Sequence, residues 1–106
     1  MRYWFLVFSN PHQEVESSYN DWYDHQHLPD LLQVPGIIAA KRLQFSGVQF
    51  NPTDSAPARY LAVYEIEADD PSTTFAEIRS RIGTASMPMT EAIDLSGLVT
   101  MTFAAR

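Results

Sequence analysis

The N-terminal stretch Arg2 to Phe8, RYWFLVF, is continuously apolar and bounded by a turn. Such a short run predicts a strand buried on both faces, with Tyr3, Phe5 and Val7 pointing one way and Trp4, Leu6 and Phe8 the other. Ser9-Asn10-Pro11-His12 then reads as turn chemistry. From Gln13 to His27 the period changes to that of a helix. At about 100° per residue, Val15, Tyr19, Trp22, Tyr23 and Gln26 share one face, and His27 falls at its edge. Glu14, Ser17, Asp21, Asp24 and His25 lie opposite. Leu28-Pro29 is expected to interrupt this helix, because the residue before proline avoids the α region. Pro29 to Gln33 forms a further helical turn with Asp30 at its positive end, closed by Val34-Pro35-Gly36.

Ile37 to Phe45 is the second predicted strand, Ser46 to Ala58 a small, polar loop, and Arg59 to Glu67 the third strand. In that third strand Tyr60, Ala62, Tyr64 and Ile66 face one side, and Leu61, Val63, Glu65 and Glu67 the other. Arg42 of the neighbouring strand is expected to pair with Glu65. A second main helix opens on Asp70-Pro71, carries the stripe Phe75, Ile78 and Ile82, and ends at Gly83. Leu98 to Ala104 gives a fourth strand. The order β-α-β-β-α-β predicts an α+β, ferredoxin-like fold with a four-stranded antiparallel sheet. Two helices cover only one face of such a sheet, yet the other face is also largely apolar. A second copy packed through this open face, giving a dimeric α/β barrel, is the expected cover.

The length of 106 residues fits a single domain spanning 1–106. A net charge of −6 with no basic run disfavours a nucleic-acid partner. The absence of cysteine removes disulfides, thiolate metal sites and thiol nucleophiles, and is compatible with the cytoplasm. The apolar run Tyr3 to Phe8 is shorter than a secretory h-region, and nothing approaches a membrane span of roughly 20 apolar residues. A soluble, cytoplasmic protein without a membrane partner is therefore expected.

The densest chemistry lies in YNDWYDHQHLPDL, residues 19–31. His25 and His27 are two apart; on a helix their rings diverge by about 200°, so they do not grip one ion. No metal site is expected. Extended to YNDWYDHQHLPDLLQVPGI, and joined by the basic strand and RYLAVYEIE, this stretch resembles the dimeric α/β-barrel superfamily, most closely its EthD-like small domains. The residues carrying the resemblance are Trp22, Tyr23, His27, Pro29, Val34, Pro35 and Gly36. It implies a pocket between helices and sheet, lined by a helix-end histidine.

His27 is accordingly the candidate acid–base residue, titrating near neutral pH, with Tyr64 and Tyr19 as candidate phenols and Asp30 as its orienting carboxylate. Trp22, Tyr23, Phe5 and Leu32 are the candidate substrate-binding residues. In a purely structural role, His27 instead caps the helix broken by Pro29. The expected function is a cofactor-independent enzyme using histidine-based proton transfer on an aromatic or polyketide-like small molecule, of cyclase, isomerase, decarboxylase or lyase type. The alternatives are a non-catalytic small-molecule-binding or accessory protein, and a cofactor-free or haem-handling monooxygenase.

Overall fold

A computed structural model describes residues 1–106. Its strands are β1 (Arg2–Pro11), β2 (Ile37–Gln44), β3 (Tyr60–Glu67) and β4 (Ile93–Ala104). Its helices are α1 (Glu16–Trp22), α2 (Leu28–Leu32) and α3 (Pro71–Arg81), with a π-helical turn, Tyr23–His27, joining α1 to α2. The strands form one antiparallel sheet in the order β2-β3-β1-β4, the ferredoxin-like arrangement. No helix is long and apolar enough to cross a membrane.

Register assigns each side chain to a face. Val7 of β1 stands opposite Ala62 of β3 and Thr100 of β4, and Phe5 opposite Tyr64 and Thr102. These residues look toward the helices, where Tyr19, Tyr23, Leu31, Val34, Tyr64, Ile66, Ile78 and Met87 form the buried core. Leu6, Val63 and Met101 share a rung on the opposite face, as do Phe8, Leu61 and Val99. Leu43, Val99, Met101 and Phe103 are exposed there, an apolar surface that no part of the same chain covers.

Three departures from the sequence pattern matter to the site. Ser9-Asn10-Pro11 is strand rather than turn: β1 runs on to Pro11 across a register shift between Phe8 and Asn10. There Asn10 pairs with Asp94 and Pro11 with Ile93, which also starts β4 earlier than its apolar run suggests. In β2, a second register shift falls between Ile37 and Ala39. An added residue reverses the alternation of faces. Arg42 thereby stands opposite Ala62, on the helix side, and bonds Asp24 and Asn20, while Glu65 is bridged by Arg2 instead. The third departure is the helix expected to end at Leu28, which continues.

Two capping features agree with their residues. The Asp70 carboxylate accepts from the Ser72 N–H at 3.0 Å and starts α3. Gly36 has φ +98°, and a Cβ there would meet the Thr74 Oγ1 at 3.0 Å, so the turn into β2 needs glycine on both counts.

Candidate functional site

Proline inside an α-helix clashes with the carbonyl four residues earlier and lacks the N–H that would bond it. The Tyr23–His27 turn accommodates Pro29 by widening. The Leu28 N–H donates to the Tyr23 carbonyl, five residues back, and Leu28 keeps helical angles of φ −59° and ψ −49°. Residues four apart on an α-helix drift by about 40° per step, and a wider turn takes back part of that drift. Tyr19, Tyr23, His27 and Leu31 consequently follow one another on the core side. A uniform helical period puts Gln26 on that face. Instead its amide turns outward and donates to the Asp30 carboxylate at 2.7 Å.

His27 lines a cavity of about 300 Å³ between the helices and the sheet. Phe5, Val7 and Tyr64 form its floor, Tyr23 and Leu31 belong to the same wall as His27, and Ile78 and Ile82 of the α3 region close the other side. The lining is almost wholly apolar. The imidazole stacks on Trp22, with ring centroids 4.4 Å apart and planes at 21°, and meets Tyr23 edge-on at 5.3 Å. Trp22 is itself held by a 3.0 Å hydrogen bond from its Nε1 to the Pro88 carbonyl.

Two polar atoms of the lining residues are buried without a hydrogen-bond partner, the Nδ1 of His27 and the hydroxyl of Tyr64. Buried groups left in this condition are uncommon and costly. Burial also decides their protonation. It lowers the His27 pKa from 6.5 to about 4, with the Asp30 charge pulling weakly the other way. It pushes Tyr23 up to about 12, reinforced by Tyr19, and Tyr64 well above 10, reinforced by the Tyr23 phenol beside it. At neutral pH the cavity therefore presents a neutral imidazole and protonated phenols.

The other sequence candidates take different places. Phe5 and Tyr23 line the cavity; Trp22 backs His27 from outside it. Tyr19 is fully buried and shares a 2.5 Å hydrogen bond with Ser9, behind Tyr23 rather than at the cavity surface. Asp30 acts on His27 electrostatically while its oxygen is occupied by Gln26. Leu32 is exposed, and its neighbour Leu31 lines the cavity instead. Leu31, four residues beyond His27, is legible only once the helix is known to continue through Pro29. Ile78 and Ile82 belong to the apolar stripe that the sequence predicts for α3, and they line the cavity as well.

His25 makes a 3.6 Å contact with Asp21 on the solvent side, and His27 points into the core, so the two histidines diverge. No group of three or more His, Asp or Glu side chains is placed to hold a metal ion. A second hollow, of about 200 Å³ beside the 46–58 loop, touches Phe8, Leu43 and Leu61 of the outer sheet face and is remote from His27.

These features define an α+β protein of ferredoxin-like topology with an apolar cavity between its helical layer and its sheet. No family model and no curated protein matches the chain. Among solved structures it is similar to the crystal structure of an ethyl tert-butyl ether D (EthD) family protein from Bacillus halodurans C-125. The similarity covers 100% of this chain and 99% of that one, with a TM-score of 0.53 and 11% sequence identity. The EthD-like resemblance read from the sequence thus holds at the level of the fold.

Proposed function

We propose that this protein is a small cofactor-independent enzyme in which His27 moves a proton on an aromatic or polyketide-like molecule held in the cavity. The observation that carries this reading is the presence, in the lining of one apolar cavity, of an imidazole and a phenol that each bury a polar atom without a partner. A substrate carbonyl accepts a hydrogen bond from the Tyr64 hydroxyl. His27, unprotonated at neutral pH, takes a proton from the adjacent carbon, and Tyr64 stabilises the enolate oxygen that develops. The dry walls strengthen that hydrogen bond, and Phe5 and Tyr23 offer ring faces for stacking. Asp30 supports the imidazolium that forms, and Tyr19 supports Tyr23 from behind. Cyclisation, isomerisation, decarboxylation and lyase reactions all share this proton step.

The depth of His27's desolvation favours a second reading, a ligand-binding protein using the same cavity without chemistry, because so weak a base gains little in driving force. One experiment separates the two. In the enzyme, His27→Gln lowers turnover by about 10² to 10⁴. Wild-type kcat/KM stays flat from neutral pH down to near pH 4, then falls as His27 protonates. In the binding protein, ligands emerge unaltered and His27→Gln changes affinity alone.

We also propose that a second copy covers the outer sheet face through Leu61, Val63, Met101, Phe103 and their neighbours about a two-fold axis. Light scattering on wild type and Phe103→Glu tests this: a dimer that the variant splits supports it, and a wild-type monomer at micromolar concentration refutes it.

A further inference from the structure

On the Phe5 side the His27 cavity is not alone. A second hollow of about 270 Å³ abuts it between α3 and β4, and Phe5, Ile78, Ile82 and Thr100 line both. Those four side chains, two from the sheet and two from the α3 region, stand between the hollows, so any passage from one to the other runs through the constriction they make. The outer hollow differs in chemistry: it adds Arg79 and Thr102 to the shared Thr100. Arg2, Arg42, Arg59 and Arg81 each bridge a carboxylate, at Glu65 and Glu67, Asp24, Glu16 and Glu77 respectively. Arg79 bridges none, like Lys41 and Arg106, but it alone of these three lines the outer hollow, and neither threonine hydroxyl is engaged in a hydrogen bond within the chain. A protein with a net charge of −6 has thus left one exposed guanidinium free at the mouth of its apolar cavity.

We infer that the outer hollow is an anion subsite, and that the ligand has an apolar, ring-containing body ending in a carboxylate. The body fills the inner cavity against Tyr23, His27 and Tyr64, and the carboxylate lies in the outer hollow on Arg79, with Thr100 and Thr102 as further donors. No charged side chain lines the inner cavity at neutral pH, so an anion has no counter-charge there and the molecule enters in one orientation. Guanidinium is suited to the role because its planar fork matches a carboxylate with two parallel hydrogen bonds. This assignment rests on the reading of the inner cavity as the ligand site, and adds which end of the ligand faces out.

The test uses naphthylbutanoate and its uncharged primary amide as probes, with affinity measured by titration calorimetry on wild type, Arg79→Gln and Arg79→Lys. Wild type is expected to prefer the carboxylate. Arg79→Gln weakens the carboxylate by about five- to tenfold and leaves the amide unchanged, and Arg79→Lys restores part of the loss. Raising salt weakens the carboxylate alone. Equal affinity for both probes, unaffected by Arg79→Gln, overturns the anion subsite while leaving the inner cavity as a ligand site. If neither probe binds, or Ile82→Trp at the constriction leaves both affinities unchanged, the cavity itself is not where they bind and the subsite falls with it.

Discussion

Arg42 and His27 both lie against the ring of Tyr23, one from β2 and one from its own helix, yet their surroundings treat them differently. The Arg42 guanidinium sits 4.3 Å from the Tyr23 centroid and within reach of Tyr19 and Tyr60. Its Nη1 donates to Asp24 at 2.8 Å and its Nη2 to Asn20 at 2.9 Å, leaving only Nε without a partner. The charge survives burial because a cage of rings and acceptors has been built around it. His27, also packed on Tyr23, is given two rings and no acceptor. It stays neutral, with its Nδ1 sealed off and unpartnered. One region uses a polar group to hold the fold; the other leaves polar groups unfinished.

Breaking the cage is expected to have the largest effect. Arg42→Met should cost about 3 kcal/mol in urea unfolding, since Asn20 and Asp24 lose their donor and three rings lose a cation. The half-exposed Asp24 can rehydrate, which keeps the loss toward the lower end for a buried pair. A cost under about 1 kcal/mol would mean that the cage contributes little.

Acid should produce a nearly equal loss through His27. Its folded pKa is about 4 against an ordinary 6.5, so on acidification the unfolded chain takes up the proton first. Stability is therefore fully present above about pH 6.5, declines as pH falls, and has lost about 3 kcal/mol by pH 4, where the decline from this group ends. Unfolding of His27→Gln across the same range should lack that component. An identical pH dependence in the variant would remove the claim of a desolvated imidazole.

Two tyrosines sharpen the contrast on a smaller scale. Tyr19→Phe should destabilise by about 1–2 kcal/mol, because it strands the buried Ser9 hydroxyl that Tyr19 satisfies. Tyr64→Phe removes a hydroxyl that has no partner, so stability should hold or rise by up to about 1 kcal/mol. Thermal melts of the two variants should move in opposite directions, and a matched drop would refute the difference between the regions.

Much of the architecture was written in local pattern. The alternation in Tyr60 to Ile66, the Asp70-Pro71 start of α3 and its Phe75-Ile78-Ile82 stripe each carry a short-range signal that tertiary packing did not override. His27 is legible as a histidine at a helix end on the rim of an aromatic face, and Tyr64 from the alternation of its strand. The misreadings share one cause, a change of count. A single added residue in β2 turned Arg42 from the outer face to the helix side, and a wide helical turn moved Gln26 out and Leu31 in. Periodicity assumes an unbroken count, so it fails where a bulge interrupts it. The outer hollow was equally invisible, because Arg79 looks like any cation in a last helical turn until Thr100 and Thr102 are placed across from it.

The widened turn before Pro29 has a consequence for how this pocket arises and disappears. A π turn amounts to one surplus residue threaded into a helix, so shortening residues 23–27 by one would leave strands, sheet order and α3 untouched while swivelling everything between Trp22 and the β2 turn. The imidazole would then swing off the cavity and the proline would collide with the backbone behind it. Relatives of this fold that lack the surplus residue should therefore keep the scaffold but place no imidazole in this cavity, and a length difference in this segment is a better guide to a shared cavity wall than the presence of a histidine.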